Sequence, residues 1–181
     1  MHNKLITLVL IVGWITPQAF AQKYTSEQSL VSFYSHAAIE DISAKNKTAT
    51  SIFNAATGEI VFSIPVVDFK FDKSLMQEHF NEKYLETEKY PKSTFQGKVV
   101  GFVGSSSELQ NVKAQGKLTL HGVTKNIDVP GTIQVKGKKL VLKSKFIVIL
   151  EEYEVKRPQL VWKNIAEQVE VTLEFTYKTM E

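Results

Sequence analysis

Apolar and polar residues alternate along most of this chain, the period of half-buried strands. In "SLVSFYS" Val31 and Phe33 share one face, with Ser32 and Tyr34 on the other. "TSIFNAATGEIVFSIP" reads as a hairpin: Ile52 precedes the turn, Thr57-Gly58 form part of it, and Ile60, Phe62 and Ile64 alternate after it. "DFKFD" sends Phe69 and Phe71 one way and Asp68, Lys70 and Asp72 the other. "STFQGKVVGFV" runs to the loop "GSSSELQN", and "VKAQGKLTLHG" then sets Ala114, Gly116, Leu118 and Leu120 on one side. In "IDVPGTIQV" Pro130-Gly131 predicts a bulge or bend that re-aims the strand. "KGKK" turns into "LVLKSKFIVIL", with Leu140, Leu142, Phe146, Val148 and Leu150 on one face. The last strand, "QVEVTLEFTY", alternates most cleanly: Val169, Val171, Leu173, Phe175 and Tyr177 inward, Glu170, Thr172, Glu174 and Thr176 outward.

One stretch breaks the period. "LMQEHFNEKYLETEKYPKSTF" reads as a helix and a turn, with Leu75, Met76, His79, Phe80 and Tyr84 on neighbouring rows of one face. Asp72 or Ser74 can cap it, and Ser74 with Gln77 fits a capping box. Pro91 bars continuation and biases Tyr90 toward an extended backbone. The fold class is therefore all-β with one amphipathic helix, as an antiparallel sandwich or closed barrel. The helix packs on the sheet or across a barrel end. Phe33, Phe53, Phe62, Phe69, Phe71, Phe95, Phe146 and Phe175 supply much aromatic surface to the inward faces. Periodicity alone leaves open whether they fill a solid core or wall an elongated cavity.

The N-terminus adds a compartment. "MHNK", the apolar run "LITLVLIVGWI" and the small-residue pattern "AFA" match a secretory signal peptide, residues 1–21, cleaved between Ala21 and Gln22. The run is shorter than the ~20 residues of a membrane span, and no Cys follows the cleavage point to carry a lipid anchor. The mature chain, 22–181, is expected as a single domain, periplasmic or secreted, without a stable membrane anchor. The 22 basic and 19 acidic residues, net +3, are scattered without a basic block, which disfavours a nucleic-acid partner. Without cysteine there is no disulfide framework, and stability falls to the core.

Candidate chemistry fails on spacing. "QEHFNE" lacks the H-E-x-x-H arrangement that sets two metal ligands on one helix face. His36 and His121 are distant in sequence, so His79 reads as a half-buried helix residue hydrogen-bonded to a neighbour. "GSSSE" is not a nucleophile elbow. Glu40-Asp41 and Glu151-Glu152 are strand neighbours pointing to opposite faces. "NKT" at 46–48 is a glycosylation sequon of a kind that arises often by chance. No catalytic residue, no metal site and no cofactor is expected.

Two elements resemble a known family. "KYPKSTF" is similar to the y-P-x-x-T/S-F element of the YceI-like family, matching at Tyr90, Pro91, Thr94 and Phe95. "GKLTLHGVTKNI" is similar to its G-x-L-T-l-x-G-V-T-K element, matching at Gly116, Leu118, Thr119, Gly122, Val123, Thr124 and Lys125. The resemblance runs over essentially the whole mature chain; near its end, in "VKRPQLVW", Arg157 stands where an apolar residue is expected before the proline. It implies an extended, eight-stranded, lipocalin-like antiparallel β-barrel with a helix at one end. It also implies a long-chain isoprenoid or other lipid as partner, such as an isoprenoid quinone or polyprenyl lipid, in a protein that is a binding module and not an enzyme; a homodimer is also allowed. The pocket is then expected from the helix, at Leu75, Met76, Phe80 and Tyr84. The strands add Phe33, Phe62, Phe69, Phe71 and Phe95 on the N-terminal side. Leu118, Leu120, Phe146, Leu173 and Phe175 complete it.

Overall fold

In the computed structural model, which describes residues 22–36, 41–156 and 167–180, the alternating segments become ten strands. They are β1 (Lys23–Ser35), β2 (Ile42–Asn46), β3 (Thr50–Asn54), β4 (Glu59–Pro65) and β5 (Lys70–Phe71), followed by β6 (Lys92–Val100), β7 (Gln110–Leu120), β8 (Val123–Lys136), β9 (Lys139–Ile149) and β10 (Gln168–Thr179). All pairings are antiparallel, and β10 returns to pair with β1 from Tyr24↔Thr179 to Tyr34↔Glu170. The result is a closed eight-stranded barrel. In this ring β2 continues along β1 beyond β3, and β5 lies beside β2. The signal peptide and Arg157 lie outside the described residues, as does Glu40.

The break between β2 and β3 has a specific cause. The Asn46 amide donates to the Pro65 carbonyl at 2.7 Å, and its oxygen accepts from the backbone N–H groups of Thr48 and Ala49. This local turn competes with the strand ladder. Asn46 is 0 % exposed, so the amide of the sequon is enclosed and serves the fold.

The lower end of the barrel, with the β3–β4 and β8–β9 turns, is filled. Phe53, Ile60, Ile133, Leu140, Phe175 and Tyr177 are all fully buried there. Phe53 packs on Tyr24 and Phe102, and Phe175 on Phe62 at 4.9 Å between ring centroids. The Tyr177 hydroxyl meets that of Ser51 at 2.7 Å, and burial pushes the tyrosine well above its usual ionisation range.

Three local expectations need correction. "DFKFD" is not one strand: Val66–Asp68 form a 3-10 turn, and only Lys70–Phe71 pair, with β2. The β7–β8 register runs through Pro130-Gly131 with no bulge. Instead β9 pairs with β8 only from Gly131 onward, and the Pro130 carbonyl accepts from Ser144 Oγ at 2.6 Å. A proline has no N–H to give a ladder, so β8 and β9 part where it stands. Finally, the helix is shorter and capped differently. Helix α1 spans Ser74–His79, its N-cap is Lys73, and no side chain caps it. A π-helical turn, Phe80–Tyr84, carries the chain on, and Glu86 ends it in the left-handed conformation at φ 43°, five residues before Pro91.

Candidate ligand cavity

Above the filled end the barrel is hollow. A cavity of about 460 Å³ runs from Ile60, Val99 and Val112 up to α1, within the size range of small-molecule sites. Among the described residues its wall carries no Lys, Arg, Asp or Glu.

The geometry follows from strand parity. Val31 and Phe33 of β1, Leu118 and Leu120 of β7, and Phe146 of β9 all point inward and line it. Phe62, Phe95 and Leu173 line its middle, above the filled end. Phe69 and Phe71 reach it from the segment around β5, and Leu75, Met76, Phe80 and Tyr84 close it from α1 and the π-turn. Of the residues expected at the pocket only Phe175 is elsewhere, sealed between Phe62 and Tyr177 beneath the cavity floor. Phe80 is the keystone of the roof: its ring lies 5.6 Å from Phe33, 5.8 Å from Phe69 and 5.0 Å from Phe71. Such ring pairs add to simple area burial.

His79 differs from its sequence reading. It lines the cavity and makes no hydrogen bond to a described residue. Several other wall residues gave no sequence signal, among them Ser35, Ile42, Leu85 and Val155. Leu85 and Val155 lie in irregular segments without periodicity, and the 3-10 turn Leu150–Tyr153 hides buried Leu150 and Tyr153 around Glu151 and Glu152.

A polar bolt holds the roof. His121 and Gly122, at φ 50° and 77°, form the two-residue turn between β7 and β8, where both positions need left-handed backbone. His121 is 8 % exposed; its Nε2 lies 2.9 Å from Glu86 Oε2 and its Nδ1 3.1 Å from the Tyr153 carbonyl. Both partners only accept, so both contacts are hydrogen bonds when the ring carries both protons. The Tyr90 ring packs against His121 at 4.6 Å. Of the three described non-glycine residues with positive φ, Glu86 and His121 thus meet here, and the third, Glu154, directly follows the Tyr153 that His121 contacts. Strained backbone of this kind persists only where its surroundings fix it. Here it joins the end of the roof to the strands.

His36 pairs with Asp41 at 2.7 Å. No group of three or more metal-ligating side chains gathers among the described residues.

A closed antiparallel barrel with an apolar interior and a helical roof defines the lipocalin-like class of architecture. The YceI-like domain model matches residues 23–177, and the chain belongs to that family. Among solved structures it is similar to a polyisoprenoid binding domain from Saccharophagus degradans implicated in plant cell wall breakdown. That match has TM-score 0.75 and 17% identity, covering 87% of this chain and 98% of the other. BcnA from Burkholderia cenocepacia matches with TM-score 0.69 and 18% identity over 82% and 95% of the two chains. A YceI protein from Campylobacter jejuni matches with TM-score 0.63 and 16% identity over 81% and 89%. Comparison with curated proteins gives no match.

Proposed function

We propose that this chain is an exported binding protein that holds a polyisoprenoid or similar long-chain lipid inside the barrel, for sequestration or transport through the cell envelope. The observation that carries the reading is the continuous cavity of about 460 Å³ whose wall, among the described residues, has no Lys, Arg, Asp or Glu. A polyisoprenoid-binding structural neighbour and membership of the YceI-like family support it.

The energetics suit such a ligand. At ~0.8 kcal/mol per buried CH₂, one five-carbon isoprene unit contributes roughly 4 kcal/mol. Two or three units reach the ~8 kcal/mol of a micromolar complex before ordering costs are subtracted. Chain burial alone suffices, and no reacting group is required. The polarity of the faces argues against a membrane-embedded barrel: the outer surface of β9 and β10 carries the ion pairs Lys143–Glu174 at 3.0 Å and Lys145–Glu170 at 2.8 Å.

Organic-solvent extraction of the purified mature protein, with native mass spectrometry of the intact complex, tests the reading. A long-chain lipid in stoichiometric amount is expected; a barrel that carries none and takes up none refutes it. N-terminal sequencing of the exported protein is expected to begin at Gln22.

A further inference from the structure

The roof end of the cavity holds polar groups that the fold itself leaves unused. Ser35 is 2 % exposed, and its Oγ has no hydrogen-bond partner. It shares strand parity with Val31 and Phe33, lines the cavity, and lies about 7 Å beyond Phe33 along β1. Phe33 stacks on Phe80, so Ser35 lies at the roof end of the cavity, whose wall His79 of α1 also lines. His79 and Tyr84 also line the cavity without a hydrogen bond to a described residue. Burial raises the ionisation of the Tyr84 hydroxyl, which therefore stays a neutral donor. Two other wall hydroxyls are already engaged: Ser93 Oγ donates to the Thr119 carbonyl at 2.9 Å and Ser144 Oγ to that of Pro130.

A buried hydroxyl without a partner costs free energy in the empty protein, and a ligand oxygen placed against it removes that cost. An anionic head at the same spot would be stripped of water, and the described residues of the cavity wall include no Lys or Arg to answer it. We infer that the lipid carries an uncharged, oxygen-bearing head group, a carbonyl or an alcohol, which is bound under the roof by Ser35 with His79 and Tyr84 while the tail runs down toward Val99 and Val112. This rests on the lipid-binding reading above and adds the head-group class and the direction of the chain.

The test compares delipidated wild type with Ser35→Ala, using four probes of matched tail where a head is present: a polyprenol, an isoprenoid quinone, a polyprenyl phosphate and the headless hydrocarbon squalene. Wild type is expected to bind the alcohol and the quinone about tenfold or more tighter than the phosphate. Ser35→Ala is expected to lose about five- to tenfold affinity for the two neutral heads and none for squalene. The melting temperature of the empty variant supplies a second readout with opposite sign: removing an unpaired hydroxyl raises it. Unchanged affinity for the neutral heads in the variant, phosphate bound as tightly as alcohol by wild type, or a lower melting temperature in the empty variant overturns the inference and leaves the lipid cavity standing. If wild type takes up none of the probes, squalene included, the lipid-binding reading itself falls.

Discussion

At the scale of single residues, the family's sequence motifs explain themselves as close packing. Gly97 and Gly116 face each other across β6 and β7, and a Cβ on Gly116 would lie 2.5 Å from the Gly97 Cα and 2.8 Å from the Phe95 ring. The glycine pair clears the space in which that ring lies. A Cβ on Gly122 would likewise meet the Tyr90 ring at 2.5 Å. The two motifs, distant in sequence, therefore interlock, with Ser93 bonded to the Thr119 carbonyl. Gly116→Ala is expected to destabilise the barrel by about 1–3 kcal/mol in denaturant titration, since backbone is what the new methyl meets. Tyr177 gives a second test. Its native hydroxyl ionises above the ordinary value of 10.0, so at higher pH the unfolded chain releases a proton that the folded one keeps. Stability is fully present below that value and falls as pH rises past it. Tyr177→Phe is expected to flatten this alkaline fall, and to cost about 1–2 kcal/mol at neutral pH because Ser51 loses its partner. The inward faces were legible residue by residue, from Val31 in β1 to Tyr177 in β10. The tasks of Gly116 and Gly122 were not, because a glycine's sequence position does not say which ring fills the space it leaves.

Elements show where local signals compete with tertiary packing. The strands followed their alternation because one face is buried and a one-residue slip would turn it outward. The roof obeyed its apolar rows but not its capping signals: Lys73 took the cap position and the helix widened to a π-turn at Phe80–Tyr84. That widening accompanies the place where Phe80 sits among Phe33, Phe69 and Phe71. Long-range ring contacts of this kind have no local sequence signature. "DFKFD" shows the same override, since both phenylalanines reach the cavity although the segment is mostly turn. His79 lacked the second ligand of a metal motif, and nothing in its spacing revealed that it faces a cavity. Phe80→Ala is expected to shorten the residence time of a bound lipid by on the order of tenfold, while the barrel still unfolds in one cooperative transition. Stopped-flow release of a fluorescent polyene lipid measures this. Unchanged release would reduce the helix to packing.

For the whole molecule, the choice between solid core and hollow barrel proved to have both answers, one above the other. Composition and periodicity could not divide them, because Phe175 and Phe62 present the same alternating pattern while one lies beneath the cavity floor and the other lines the cavity. Burial of a lipid by the native state alone predicts that loading raises the melting temperature, by about 5–10 °C at a hundredfold excess over Kd. Differential scanning calorimetry of delipidated and reloaded protein reads this directly.

The filled end has a further consequence for turnover. A carrier is used more than once only if it outlives its own unloading. Phe53, Ile133, Leu140, Phe175 and Tyr177 are fully buried, and none of them lines the cavity, so the lower barrel owes nothing to cargo. Under the lipid-binding function proposed above it acts as a keel: the upper chamber is expected to be vacated and refilled while the chain stays folded, so that release need not be a single-use event.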